Sequence, residues 1–392
     1  MSSGVIVLVI DSVERFRFFE RLYKALTLKH KIVFLTIEPI IRIMCGLRGY
    51  DCTLICKTSN DIVPRKLVFK TIEYLNCQFD EYDCHVYLNS VVEALCRMPK
   101  PQRVVVWNGQ HIVGRAVEFF CDTYKVQSQY LELSNLPMSV FSDPIGVNAN
   151  SSVCLNPSII DSLPDVSTEV HEMWLDNYKE YKKGKIPQAV NGTGKKLLSL
   201  LNAVLKKAYP SVLGNKISFL KKKNNIVVSN VRSIGDEPIP PDSRYVFLPL
   251  QVSGDTQIKL HSPVNNIQAI NIALETAEAN NAILVVKIHP AETDQDLLSQ
   301  LVDLKSQKPF ILSSKNTVEL ILSADTVVTI NSTVGLESLL LGKKTVVLGR
   351  ALYKDFDQAR LRKYIHHYLV NGIDYFSKDD IEYDAAAKAV GL

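Results

Sequence analysis

Three short stretches in the second half of the chain carry side chains able to do chemistry at the ends of strands. The longest runs from Thr326 to Gly349, where a buried strand ends in Asn331-Ser332-Thr333 and a helix begins at about Val334. Hydroxyls and free backbone N–H groups at a helix start form an anion site, and Gly335 would let a phosphate approach the backbone closely. The same hydroxyls serve equally well as an ordinary N-cap. Glu337, read as lying in the first turn, suits either the helix dipole or a ribose hydroxyl.

The second stretch is Lys287-Ile288-His289-Pro290 at the end of the strand Ile283 to Ile288. The proline stops the strand, which leaves the imidazole at the sheet's edge, able to donate to a phosphate oxygen. The other seven histidines are taken as structural or solvated. The third stretch is the loop from Gln251 to Ile258, in which Asp255 follows a strand and can serve as a nucleophile or base at a sugar carbon. A turn aspartate after Gly254 is an equally good reading of the same residue. Earlier in the chain, Trp107-Asn108-Gly109-Gln110 ends one strand and Glu132 ends another, followed by Asn135 to Pro137 and Phe141 to Asn148. Together they offer the amide, carboxylate and ring surfaces that a sugar acceptor needs.

The elements that must position these groups are legible as alternating strands and helices. Short β-branched runs at Val5–Ile10, Ile32–Ile37, Thr53–Lys57, Val86–Leu88, Val104–Trp107 and Gln129–Leu133 alternate with segments of helical spacing such as Val13–Leu28 and Leu67–Asn76. That rhythm predicts a parallel, doubly wound sheet. A polar helical stretch from Pro157 to Leu220 reads as a connector. The rhythm then resumes at Ile226–Ser229, Tyr245–Leu250, Ile283–Ile288, Phe310–Leu312, Thr326–Ile330 and Thr345–Leu348, with a helix over Asn265–Ala279. The expected division is 1–156, 157–224 and 225–392. The fold class is α/β with two Rossmann-like domains, and such sheets bind ligands at the carboxyl ends of their strands, so a ligand in the cleft between the domains is expected.

Composition agrees with an ordinary enzyme. The 392 residues, 46% hydrophobic and 22% charged, exclude disordered, collagenous and coiled-coil classes. A net charge of +4 gives no field that demands nucleic acid, while Lys221-Lys222-Lys223 could aid adhesion to anionic lipid. Val5–Ile10 is far shorter than the ~20 apolar residues of a spanning helix, and the chain is expected to be cytoplasmic, with a peripheral contact to the inner membrane left open. All eight cysteines precede residue 155 and form no CxxC pair, so they are expected to be reduced and mostly buried. GxGxxG is absent, Gly192 to Lys195 lacks the spacing of a phosphate loop, and HExxH and GxSxG do not occur. NAD, ATP and the commonest hydrolase mechanisms are therefore poor fits.

Taken together, Trp107-Asn108-Gly109, Glu132 to Asn148, Gln251 to Ile258, His289-Pro290 and Asn331 to Gly349 resemble the bacterial capsule-polysaccharide biosynthesis family, in particular its retaining β-Kdo glycosyltransferases. The resemblance implies a GT-B-like architecture that takes CMP-β-Kdo as donor, with the nucleotide on the second domain and a glycan or glycolipid as acceptor, alone or beside other glycosyltransferase modules. It implies that His289, Ser332 and Thr333 hold the CMP phosphate and that Asp255 is the nucleophile. Gln251, Gln257, Lys287, Asn331, Gly335 and Glu337 complete the expected donor set. On the acceptor side it points to Asn108 and Gly109, with Glu132 as first choice of base and Glu180 as second. Gln110 departs from the family's aromatic or arginine after the Trp-Asn-Gly triplet. No DxD pair sits at a strand end, so transfer without a metal or other cofactor is expected. A different nucleotide-sugar enzyme, such as a UDP-sugar transferase or 2-epimerase, and a non-catalytic glycan-binding subunit of a polysaccharide assembly are the competing readings.

Overall fold

The computed structural model describes residues 4–134, 136–183, 193–209, 213 and 236–392. Twelve strands are present among the described residues: β1 Val5–Ile10, β2 Lys31–Thr36, β3 Cys52–Leu54, β4 Arg103–Trp107, β5 Gln127–Leu133, β6 Ser139–Asp143, β7 Tyr245–Pro249, β8 Ile283–Lys287, β9 Ile311–Leu312, β10 Thr326–Thr329, β11 Lys344–Val347 and β12 Val370–Asn371.

The chain divides into two compact units, which are Met1–Ser152 with Ile159–Ser218 and Arg362–Leu392, and Val153–Ser158 with Phe219–Leu361. This differs from the expected boundaries at two places. The helical connector belongs to the first unit, and so do the last thirty or so residues. The return has a physical basis. β12 pairs antiparallel with β6, and the helix Tyr383–Ala389 buries Ala386, Ala387 and Ala389 in the same core as Phe18, Phe19 and Leu22. Neither a two-residue strand nor an alanine-rich turn carries a signal strong enough to be assigned from the chain alone.

The first sheet has the order β12-β6-β5-β4-β1-β2-β3. β1 to β5 are parallel, whereas β6 runs antiparallel to β5. Ile6 to Ile10 are wholly buried, which is why β1 reads as an unbroken apolar run, since helices cover both faces of a parallel sheet. Val86–Leu88 is not a strand. It lies inside the helix Glu81–Cys96, which Asp80 caps by accepting the Asp83 amide at 2.8 Å. That helix buries residues around most of its circumference, and a short apolar run in such a helix cannot be told from a strand by periodicity.

The second sheet is wholly parallel, in the order β11-β10-β7-β8-β9. Both units are thus Rossmann-like, as expected. The chain order reverses between β1 and β4 in the first sheet and between β7 and β10 in the second, and the carboxyl ends of those strand pairs are where such folds form binding sites. Asn135, the strand expected at Ile226–Ser229 and the triplet Lys221-Lys222-Lys223 lie outside the described residues. The cysteines are less buried than expected. Cys45, Cys52, Cys84 and Cys121 are buried, but Cys56, Cys77 and Cys96 are exposed. Among the described residues, no helix is long and apolar enough to cross a membrane.

Candidate functional site

At the carboxyl end of β7 the chain turns through Gln251 to Asp255 into the short helix Thr256–His261. Asp255 is the N-cap of that helix, with Oδ1 accepting the Gln257 amide at 2.9 Å. The turn reading of Asp255 is therefore realised in its geometry. A capped carboxylate is held in one orientation, which is what a nucleophile also requires. From the neighbouring strand β8, His289 follows within electrostatic reach of Asp255. Its Nδ1 accepts the Ala291 amide at 3.1 Å, so the neutral ring carries its proton on Nε2. Partial desolvation holds this imidazole below its ordinary value, against the opposing charges of Asp255 and Glu292.

Glu292 ties these two loops together and was not singled out from the sequence. Its side chain is buried. Oε2 accepts the backbone amide and hydroxyl of Ser253 at 2.8 and 2.9 Å, and Oε1 accepts the amides of Thr293 and Asp294, each at 2.8 Å. One carboxylate thus satisfies four donors on the loops that carry Asp255 and His289. Its only sequence signal was its position two residues after Pro290.

Several residues expected to touch a donor are committed elsewhere. Gln251 is buried, and its side chain is paired with Asn331. Asn331 Nδ2 donates to the carbonyls of Gln257 and His261, at 2.8 and 3.4 Å. The two amides brace the Asp255 helix to the end of β10. Gln257 takes part through its backbone, which binds Asp255 and Asn331. Lys287 donates to the carbonyl of Lys315 at 2.6 Å and to Thr317 Oγ1 at 3.0 Å, so its ammonium fastens the end of β8 to the segment that follows β9.

Ser332 caps the helix Thr333–Leu340, accepting the Val334 amide at 3.2 Å, and Thr333 opens that helix as an exposed residue. Gly335 does not make room for phosphate. A Cβ there would lie 2.4 Å from the Tyr353 hydroxyl and 2.7 Å from Thr329 Cγ2, so the glycine is required by packing against Tyr353. Glu337 falls in the second turn, and is buried. It lies beyond the first turn, where the helix dipole acts on a carboxylate.

The first unit gathers a separate polar cluster at the ends of β1, β4 and β5. Asn108 adopts a left-handed conformation (φ 57°), tolerable for asparagine, and its Oδ1 accepts the Gln110 amide at 2.8 Å. Its Nδ2 donates to Glu132 Oε2 at 2.7 Å, while Glu132 Oε1 accepts the Leu133 amide at 3.0 Å. Burial raises the Glu132 carboxyl above its ordinary range, against the hydrogen bonds from Leu133 and Asn108 and the charges of Arg15 and His111. Gly109 packs on the Tyr130 ring, which a Cβ would approach to 3.2 Å. Arg15 pairs with Asp11 and stands 5.7 Å above the Trp107 ring. His111 lies 2.9 Å from Glu73, a pairing between histidine and carboxylate that sequence reading passed over. Glu180 is on the exposed side of the helix Thr168–Lys183.

Comparison with known proteins adds to this geometry. A family model described as capsule polysaccharide biosynthesis protein matches residues 102–357. Protein FixF of Sinorhizobium fredii (strain NBRC 101917 / NGR234) is 36% identical over 121 residues, 30% of this chain and 29% of that protein. The capsule polysaccharide export protein KpsS of Escherichia coli is 31% identical over 122 residues, 29% of this chain and 31% of that protein. The aligned segments thus span less than a third of either relative. Among solved structures, the Thermosulfurimonas dismutans KpsC, beta Kdo 2,7 transferase, gives a TM-score of 0.38 at 16% identity, over 98% of this chain and 89% of that one. Methanocaldococcus jannaschii UDP-GlcNAc 2-epimerase gives 0.31 at 13% identity, over 98% of each chain. At these scores the likeness assigns nothing to this chain.

Proposed function

The chain belongs to the capsule polysaccharide biosynthesis protein family, and from that premise we propose that it is a retaining glycosyltransferase moving β-Kdo from CMP-β-Kdo to a glycan acceptor. One observation supports this reading above the rest: a capped carboxylate, Asp255, and an imidazole, His289, share one electrostatic environment beyond the carboxyl ends of the adjacent strands β7 and β8, and Glu292 ties their loops. Asp255 attacks the anomeric carbon as the bond from that carbon to the CMP phosphate breaks, and the electron pair leaves on the phosphate. His289 Nε2–H, with the hydroxyls of Ser332 and Thr333, offsets the charge of the departing CMP. A second displacement, by an acceptor oxygen, frees the carboxylate, and two inversions retain configuration.

The deciding experiment incubates the protein with CMP-Kdo and maps any mass increment by peptide. The expected adduct lies on the peptide containing Asp255. Asp255→Ala loses both adduct and transfer while CMP still raises the melting temperature; retained transfer by that variant overturns the role. At a hundredfold excess over Kd a nucleotide stabilises its protein by about 2.7 kcal/mol, so CMP should shift the melt and UDP should not. Stabilisation by UDP alone would favour the alternative reading as a UDP-sugar enzyme. Turnover in excess chelator is expected to continue undiminished.

A further inference from the structure

The helix Thr193–Ala208 carries apolar residues on two faces, where a helix resting on a core needs one. Its inner face is accounted for. Leu198 and Leu205 pack on the core that holds Phe18, Phe19 and Leu22, and Asn202 is buried between them, with Oδ1 accepting the Ile40 amide at 3.1 Å. Lys206 adds an ion pair to Glu38 at 2.7 Å. These ties seat the helix against the helix Pro39–Leu47 of the same unit. On its other side Leu200, Leu201 and Val204, spaced i, i+1 and i+4, form one exposed stripe, with Leu200 58% and Val204 57% accessible. The neighbouring helix repeats the arrangement. Ile40, Ile41 and Cys45 are buried, whereas Ile43 and Leu47, one turn apart, are exposed, Leu47 to 83%.

Charge on the two helices is one-sided. Together they hold Arg42 and four lysines and no aspartate or glutamate, although over the whole chain 41 acidic residues nearly balance 45 basic ones. Two of the cations edge the exposed stripes: Arg42 adjoins Ile43, and Lys207 lies one turn beyond Val204, both exposed. We infer that this face of the first unit seats on an anionic lipid bilayer, with the aliphatic side chains entering the acyl boundary and the cations meeting lipid phosphates. The residue types select lipid over a protein partner. Leucine and valine are under-represented at protein hot spots, where Trp, Tyr and Arg dominate, whereas aliphatic stripes edged by lysine and arginine are the mark of interfacial helices. At sixteen residues the longer helix falls short of the ~20 that a span requires, so it lies in the plane of the surface. All these residues belong to the first unit, and the donor chemistry proposed above plays no part.

Co-flotation of the full chain with unilamellar vesicles tests this. The protein is expected to float with phosphatidylcholine vesicles that contain phosphatidylglycerol, to stay behind with phosphatidylcholine alone, and to be released by added salt. Leu200→Gln combined with Val204→Gln should weaken vesicle binding by about tenfold or more. Arg42→Gln combined with Lys207→Gln should weaken it by about fivefold per charge removed. Because the substituted residues are exposed, the melting temperature should hold; if the first pair lowers it, Ile43→Gln with Leu47→Gln repeats the test on the other helix. Failure of the native chain to bind the anionic vesicles, equal binding to both kinds, or native-strength binding by the substituted chains would each overturn the inference. A second copy of the chain on this face would instead appear as a dimer that the same substitutions dissolve, with no vesicle binding, and would overturn it too.

Discussion

Gln251 and Asn331 hold each other by two hydrogen bonds, Gln251 Nε2 to Asn331 Oδ1 and the Asn331 amide to Gln251 Oε1, each 3.0 Å long. They close the ends of β7 and β10, the adjacent strands at which the second sheet reverses its order. Asn331 then reaches the Gln257 carbonyl, so the orientation of the Asp255 helix depends on a buried amide pair.

Asn331→Ala leaves Gln251 Nε2 and the Gln257 carbonyl without the Asn331 side chain, while the backbone amide at 331 still reaches Gln251 Oε1. A buried group stripped of its hydrogen bond costs about 1–3 kcal/mol, and the loss should appear as a lower urea midpoint. Because the Asp255 helix loses its brace, CMP-Kdo turnover should fall with it. An unchanged midpoint would show that the pair is not a brace.

Glu292→Gln is expected to lower the titration of His289 still further. Burial already holds that imidazole down, and the carboxylate of Glu292 is one of two charges that oppose the effect. Removing the charge leaves Asp255 alone in opposition, so at a given mildly acidic pH a smaller fraction of His289 is protonated. The Cε1–H resonance, followed by NMR against pH, reads this directly. An upward shift would contradict the assigned electrostatics.

Gly335→Ala should destabilise the second unit by about 1–3 kcal/mol, the usual cost of overpacking a tight core. The clash is with Tyr353 and Thr329, both of which are held in the core. The variant tests the packing role against a phosphate-binding role. A substitution that weakens CMP binding while leaving the thermal melt unchanged would restore the latter.

Acid should weaken the first unit through His171. Desolvation, with the charges of His366 and Arg362, holds this imidazole down from 6.5 to about 4; its Nδ1 lies 3.3 Å from His366 Nε2, and Trp174 stacks on the ring. The unfolded chain binds the proton more readily than the folded one, so stability is intact above pH 6.5 and declines as pH falls toward about 4. His171→Asn, which keeps an acceptor near Nδ1, should flatten that decline in melts taken across the window. An equal decline in both proteins would assign the acid sensitivity to other groups.

The chain by itself determined two Rossmann-like units, because apolar β-branched runs such as Val5–Ile10 and Ile283–Lys287 are buried on both faces and have few other ways to fold. It also determined that polar, titratable residues cluster where those strands end, since a buried strand cannot carry them along its length. Tertiary structure alone decided what each of them does. Gln251 and Asn331 are eighty residues apart in sequence, and only the pairing of β7 with β10 turns two ligand-like amides into a brace. Glu73 lies in one helix and His111 immediately precedes another, and no local spacing announces that a carboxylate will orient that ring. The last stretch joins the first unit for the same reason. Burial of the alanines of Tyr383–Ala389 depends on a core that forms from residues more than three hundred positions earlier. Hydrogen bonds and burial of this kind depend on distance in space, whereas periodicity reports only the neighbours along the chain.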